Sequence, residues 1–536
     1  MNKGICMPKS QTLRVGAAIL VATGALAFTT IPSSAAPTAS AELPDGPALA
    51  RNLVKKVTGS GVNRHLIALQ RIADQNGGIR AAGTPGHAKS AEYVESKLKG
   101  AGFDVSRHEF DFTFTQTLAE KLTVAGASVP ISIMTYSLST PVGGITADLA
   151  VVPVDADGTS GCEIADYTGV VATGKIALIS RGGCTFAQKQ IVAAEAGAVG
   201  AIVYNNTDGP LNGTLGDPAA AKLPTGGITK ADGEALAAKG GSVTLELRAL
   251  REERKSYNVI AQTKTGRKDN VVMAGAHLDS VIQGPGINDN GSGSAGLLET
   301  ALQMGGSPRV SNAVRFAWWS AEELGLIGST KYVDSLTFEQ QVDIALYLNY
   351  DMIASPNAAY FVYDGDDSDA VGAGAGPYGS AQIEKAFVDF LGATGTPTQG
   401  TDFSGRSDYG RFIAVGIPAG GLFTGAEGIK TQAQADLWGG QANVAYDKCY
   451  HQKCDNLGNI DRVALDRNSD AIAWVTASYA VSTEEINGIP PRVQRAETRM
   501  AQTRMMRMQM ANEDAAAAKA AGTDVVGCIH VDRPAA

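Results

Sequence analysis

The chain has 536 residues, a formal net charge of −9 and 44% hydrophobic residues. That is enough to bury one large core and at least one smaller domain. The acidic balance gives no support to nucleic-acid binding, which needs a basic face.

The N-terminus reads as an export signal. Lys3, Lys9 and Arg14 precede an apolar stretch over 15–28, short for a bilayer span but suited to a signal core. Ala39-Ser-Ala41 offers a cleavage site, with Ser34-Ala-Ala36 as a second choice, so 1–41 is expected to be a signal peptide and the mature protein soluble, secreted and free of membrane. The segment 42–115 shows a helical period at Leu66, Leu69 and Ile72. A helix over 88–99 ended by Gly100 follows, then a strand over 105–112. Gly83-Thr-Pro-Gly86 reads as a loop, His87 as a surface or capping residue, and His65 and His108 as structural. The segment 116–251 differs in texture, rich in Val, Ala and Gly. It predicts a strand and tight turn within 174–186, a helix over 188–196 and a strand over 198–205. From 252 to 486 strands alternate with helices over 293–303 and 381–391, which predicts an α/β fold with a mostly parallel central sheet sandwiched by helices. Ile489-Pro-Pro491 breaks the chain. The remainder of 487–536, with a Met- and Arg-rich helix over 495–510, reads as a removable extension.

Cysteine usage fits an oxidising compartment. Cys6 leaves with the signal, Cys449 and Cys454 are close enough for a small loop, and Cys162 and Cys184 lie in one segment. The two pairs are read as disulfides, with Cys528 left over.

Chemistry concentrates in 252–486. The apolar run 271–276 ends at His277, with Asp279 two residues on. On a strand these positions share a face, so the Asp279 carboxylate is expected to orient the far nitrogen of His277. Asp289 follows in the glycine-bearing loop 286–293, the buried-type run 315–321 ends in Glu322-Glu323, and the run 344–350 ends in Asp351. Cys449-Tyr450-His451 and Cys454 supply the last histidine. Strands that each deliver an acid or histidine at the C-terminal end match where open α/β sheets place ligands. Two histidines with three carboxylates suit two zinc ions, one carboxylate bridging both. Adjacent glutamates point different ways, so one can ligate while the other acts as a base.

These motifs resemble the secreted bacterial co-catalytic di-zinc aminopeptidases of the Streptomyces aminopeptidase and leupeptin-inactivating type, over roughly 45–485. The run 116–251 resembles the protease-associated domain that interrupts some such peptidases, a smaller inserted α/β domain. The resemblance implies that His277 and Asp351 ligate one zinc and Glu323 and His451 the other. It makes Asp289 the bridge, Glu322 the general base and Tyr450 a donor to the oxyanion. Arg406 matches a substrate-site arginine, and Met352 and Phe423 an apolar pocket. Asp45, the Gly46 carbonyl, Asp466 and Asp470 match a calcium site. The implied substrates are peptides with a free N-terminus, cleaved by a monomer that prefers large apolar residues such as leucine. Three alternatives share the architecture: a glutamate-releasing zinc carboxypeptidase, a single-metal glutaminyl cyclase, and a non-catalytic receptor-like relative.

Overall fold

The computed structural model describes residues 45–155, 158–484, 493, 496–501 and 504. The expected signal, Cys6, Cys528 and most of the 495–510 helix lie outside the described residues. No helix among the described residues is long and apolar enough to cross a membrane.

Four parallel strands form the middle of the sheet, in the order Ala419–Phe423, Ile344–Tyr350, Arg267–His277 and Asn312–Trp319. Every residue of Ile344–Tyr350 is buried, as is every residue of Arg267–His277 from Asn270 onward. Such continuous apolar runs are what parallel strands covered on both faces require. One face packs against helices that include Gly59–Gln75, Pro85–Gly100, Gly291–Met304 and Arg462–Val481. The other carries an aromatic cluster in which Tyr347 stacks on Phe412 at 3.9 Å and Trp319 donates its indole N–H to the Tyr347 hydroxyl at 2.8 Å. The α/β sandwich is thus as expected.

Two details differ. The helix expected over 88–99 begins at Pro85, because the Thr84 side chain caps it by accepting from the His87 N–H and proline suits the first helical turn. His87 is therefore not on the surface: it is buried edge-to-face against Tyr257, and burial lowers its pKa to about 4. His65 is structural as expected, bonded to Tyr93 and Glu299.

The second difference concerns the domain borders. Asp104–Val124 and Ser242–Gln262 are each 21 residues long and pair antiparallel from Asp104 opposite Gln262 to Val124 opposite Val243. They continue from the main sheet into the inserted region, so the borders expected at 115/116 and 251/252 fall inside strands. The paired ladder carries the chain across a change of composition. Beyond the ribbon, Ile145–Val151, Ile176–Ser180, Gly200–Tyr204 and Thr225–Ile228 build a small sheet with its own core. Cys162–Cys184 closes a loop there, and Cys449–Cys454 closes one near the main sheet. Within the C-terminal extension, the buried Arg499 donates to the Gln341 carbonyl at 2.6 Å and the Ala345 carbonyl at 3.0 Å.

Candidate active site

Because Trp319 pairs with His277 and Asn349 with Gly275, neighbouring parallel strands end at one edge of the sheet. That edge receives His277, the Glu322-Glu323 pair and Asp351, while Asp289 enters from the loop before Gly291–Met304. Gly286 in this loop has φ +60°, and an added Cβ would lie 2.3 Å from the Asp289 carbonyl, so only glycine fits. Asn290 caps the helix and ties the loop across the sheet edge. It accepts from Gly293 N–H at 2.9 Å and Met352 N–H at 3.2 Å, and donates to the Tyr350 carbonyl at 2.8 Å.

The five expected ligands converge. His277 Nε2 lies 3.2 Å from Asp289 Oδ1 and 3.3 Å from Asp351 Oδ1. His451 Nε2 lies 3.1 Å from Asp289 Oδ2 and 3.0 Å from Glu323 Oε2. Asp289 therefore turns one oxygen to each histidine. His277 Nε2, Asp351 Oδ1 and Glu323 Oε1 are buried and take no hydrogen bond. Orphaned buried nitrogen and oxygen atoms facing one another are costly unless a cation joins them. A mixed imidazole and carboxylate set of this kind fits zinc, and the clustered ligand atoms form two groups, His277 with Asp289 and Glu323, and His277 with Glu322 and Asp351.

Electrostatics agree with that fit. Burial, with Asp351 and Asp408 nearby, holds the Glu322 carboxyl well above its usual range, and burial with Asp289 pushes Glu323 up to about 8. Asp289 goes the other way: burial would raise it, but the two histidines outweigh burial and hold it below the usual carboxylate range. His451 is pushed up to about 10, since Asp289 and Glu323 outweigh its desolvation.

Asp279 lies close to its expected place, with one difference. Its carboxylate Oδ1 stands 3.7 Å from His277 Nδ1, whereas its own carbonyl is at 3.2 Å. The chain turns sharply after His277, which brings the carbonyl to the ring and leaves the carboxylate to accept from Glu322 N–H at 3.3 Å.

Tyr450 stacks on His451 with ring centroids 3.8 Å apart and accepts from the Arg406 guanidinium at 3.2 Å. Arg406 is in turn held by Glu427 at 2.9 Å. Met352, Phe423, Tyr363, Leu326 and Arg406 line a cavity of about 350 Å³ that opens onto Asp289, Glu322, Glu323, Asp351 and His451. Asp466 and Asp470 stand one turn apart on Arg462–Val481, and Asp466 accepts from Gly59 N–H at 2.6 Å, but the Asp45 side chain lies outside the described residues.

Sequence reasoning missed the residues that hold the ligands. Ser407 donates to Asp351 Oδ2 at 2.6 Å, leaving Oδ1 for the site. Asp455 accepts from Asn288 N–H at 2.8 Å and Asp289 N–H at 3.0 Å. Arg80, fully buried, donates to the carbonyls of Leu278, Pro285 and Gly286, pinning the turn after His277 to the turn before Asp289. Burial lowers its pKa to about 10, with Asp455, Asp279, Asp289 and Glu323 opposing. The only sequence signal was an arginine among small residues, Gly78-Ile-Arg80-Ala-Ala.

The model of peptidase family M28 matches residues 258–476, and the PA domain model matches 145–236. A probable lipoprotein aminopeptidase, LpqL, of Mycobacterium tuberculosis is 46% identical over 92% of this chain and 98% of its own length. Probable leucine aminopeptidase 2 of Aspergillus fumigatus is 49% identical over 77% of this chain and 81% of its own. Among solved structures, the aminopeptidase from Aneurinibacillus sp. strain AM-1 superposes with a TM-score of 0.60 at 29% identity, covering 80% of this chain and 95% of that one.

Replacing Arg80 by methionine should unpair three carbonyls beside a cluster of acids. We expect a stability loss of about 3–5 kcal/mol, as for breaking a buried charge pair, and faster loss of zinc to a chelator. Thermal melts and metal release followed with a zinc dye check both.

Proposed function

The chain belongs to peptidase family M28, as a metallo-aminopeptidase with an inserted PA domain, and on that premise we propose an exported enzyme that holds two zinc ions and removes large apolar residues, leucine above all, from peptide N-termini. The observation that carries this reading is Asp289, whose two oxygens face His277 at 3.2 Å and His451 at 3.1 Å, so that one carboxylate is shared by two ligand sets. His277 and Asp351 would complete one set, Glu323 and His451 the other. Zinc bound there supplies Lewis acidity toward a carbonyl oxygen and lowers the pKa of water.

The chain's own groups supply the rest. Glu322 is held by its backbone near the cluster and has a raised proton affinity, so it suits taking a proton from the attacking water and passing it to the leaving amine. Tyr450 accepts from Arg406, which turns its own proton away from the guanidinium and toward the site, where it can donate to the oxyanion. The carboxylates beside the cavity attract the α-ammonium of a free N-terminus. Met352 and Phe423 give the cavity an apolar wall, and burying a leucine side chain there is worth about 1.5–3 kcal/mol. An acidic side chain would lose hydration and meet like charge. Export rests on the signal-like N-terminus and on the lipoprotein name of a relative that covers almost the whole chain.

A glutamate-releasing carboxypeptidase would need several cations for the terminal carboxylate, and among the described residues Arg406 is the one arginine lining the cavity. The ligand cluster favours a peptidase over a one-metal cyclase or a receptor that has lost its ligands. Calcium remains part of the reading: burial and Asp466 push the Asp470 carboxyl up to about 7, a repulsion that a cation on this helix face would relieve.

Three outcomes are expected. Glu322→Ala should lose at least about 100-fold in kcat while elemental analysis still finds two zinc ions per chain; loss of one zinc would show that Glu322 ligates. Leucine nitroanilide should be cleaved in strong preference to the glutamate analogue, and acetylating the substrate amine should abolish cleavage. Added calcium should raise the melting temperature of chelator-treated, zinc-restored protein, and an unchanged melt removes calcium from the account.

A further inference from the structure

The ribbon that carries the insert is also part of the site. At its root Phe110, Phe112 and Phe114 alternate along the strand and pack, buried, with Ala321, Ile282 and Leu324. Ile282 follows the turn after His277, and Leu324 follows the ligand candidate Glu323. The ribbon is therefore packed onto the two loops that shape the cluster.

Between ribbon and loops lies a second cavity of about 320 Å³, walled by Thr115 and Thr117 of the ribbon with Ile282, Gln283 and Leu324. Both cavities open onto Glu323 and His451. The cluster thus stands between a pocket walled by Met352 and Phe423 and a pocket walled by the ribbon. Next to this wall the pairing of the two long strands slips between Thr117 and Ala119, leaving Leu118 48% exposed. A bulge of this kind redirects side chains beside an active site.

A peptide cut at its first bond must straddle the reacting atoms, with one side chain on each side of them. We propose that the second cavity binds the second residue of the peptide, on the leaving side of the scissile bond, and that the ribbon carrying the inserted domain selects substrates by forming its outer wall through Thr115 and Thr117. This rests on the reading of the chain as an N-terminal exopeptidase. Among the described residues lining this cavity, those other than Asp279, Glu323 and His451 of the cluster carry no charge. Apolar and hydroxyl groups therefore face the ligand, and the remaining carboxylates repel an acid. The ligand class is a peptide whose second residue is neutral.

The test uses the full chain and tripeptides Leu-X-Gly with X glycine, phenylalanine, alanine or glutamate. Thr117→Trp and Gln283→Trp replace exposed side chains and reduce the space. Each should lower the ratio of kcat/KM for X phenylalanine over X glycine by about tenfold, while the ratio of Leu-Gly-Gly to Ala-Gly-Gly stays as in the parent. Gln283→Lys should raise glutamate relative to alanine at X by about threefold to fivefold. Ratios cancel any loss of folded fraction. Unchanged X ratios in all three variants, or a change confined to the first residue, overturn the subsite. Failure of the parent to release leucine from Leu-Ala-Gly would instead overturn the exopeptidase reading.

Discussion

At the C-terminal edge of the sheet, Asp279, Asp289, Glu322, Glu323, Asp351, Asp408 and Asp455 are brought close together and taken out of water, with Arg80, His277 and His451 as the cations among them. Carboxylates so placed repel one another and lose hydration, and the consequence is visible in Glu323, pushed up to about 8, and in Asp408 and Asp455, each pushed up to about 7 mainly by burial. Protons can hold such a cluster together in the absence of a cation, but a divalent ion does so better and displaces them. The surrounding groups occupy the oxygens that face away from the site: Ser407 takes Asp351 Oδ2, and the Asp455 carboxylate holds the backbone beside Asp289. What is left unpaired points inward.

Holding mutually repelling groups in place demands a frame that does not give. The four parallel strands are buried on both faces, so their ends cannot shift without opening the core. The aromatic stack of Tyr347, Phe412 and Trp319 lies under the strands that end at His277, Glu323 and Asp351. Strain accumulates around the site. Met352 and His451 both adopt left-handed φ values, 50° and 57°, which non-glycine residues hold only where the surroundings impose them. Asn290 accepts from the Met352 N–H, and the Cys449–Cys454 loop encloses His451, so each strained residue is fixed by a specific neighbour. Stability thus comes from the core, and the site draws on it.

Three positions of the site were announced because each follows a mainly apolar run: 271–276 before His277, 344–350 before Asp351 and 316–319 before the glutamate pair, whereas Asp289 and His451 were marked by a glycine-bearing loop and a short cysteine loop. A polar residue at the end of a buried strand has nowhere to go but the sheet edge, so position along the chain already implied position in space. Arg80, Asp455 and Ser407 gave no such signal. Arg80 meets its acceptors about two hundred residues further along, and nothing in the local pattern around a loop residue encodes a partner that distant. His87 misled for a related reason: it sits beside a Pro-Gly pair that looks exposed, yet Tyr257 of the ribbon covers it. For Asp279 the strand rule predicted a carboxylate on the His277 ring, but the strand ends at His277, and where the chain turns the Asp279 carbonyl stands nearer the ring than the carboxylate.

The borders of the insert show the same limit in a more consequential form. Composition changes near 116 and 251, but the hydrogen-bond ladder of Asp104–Val124 and Ser242–Gln262 runs through both points. A domain attached by flexible linkers could shield a site only on average. Here the insert is joined by a paired ribbon whose phenylalanines are buried against Ile282 and Leu324, so the residues just beyond the last peptidase contact are held as firmly as the strands themselves. That rigidity is what allows Thr115 and Thr117 to wall a cavity beside Glu323 and His451. The change of texture that marks the insert as foreign in the sequence is therefore not a structural joint, and the joint that matters for chemistry is the packing of the ribbon root on the ligand loops.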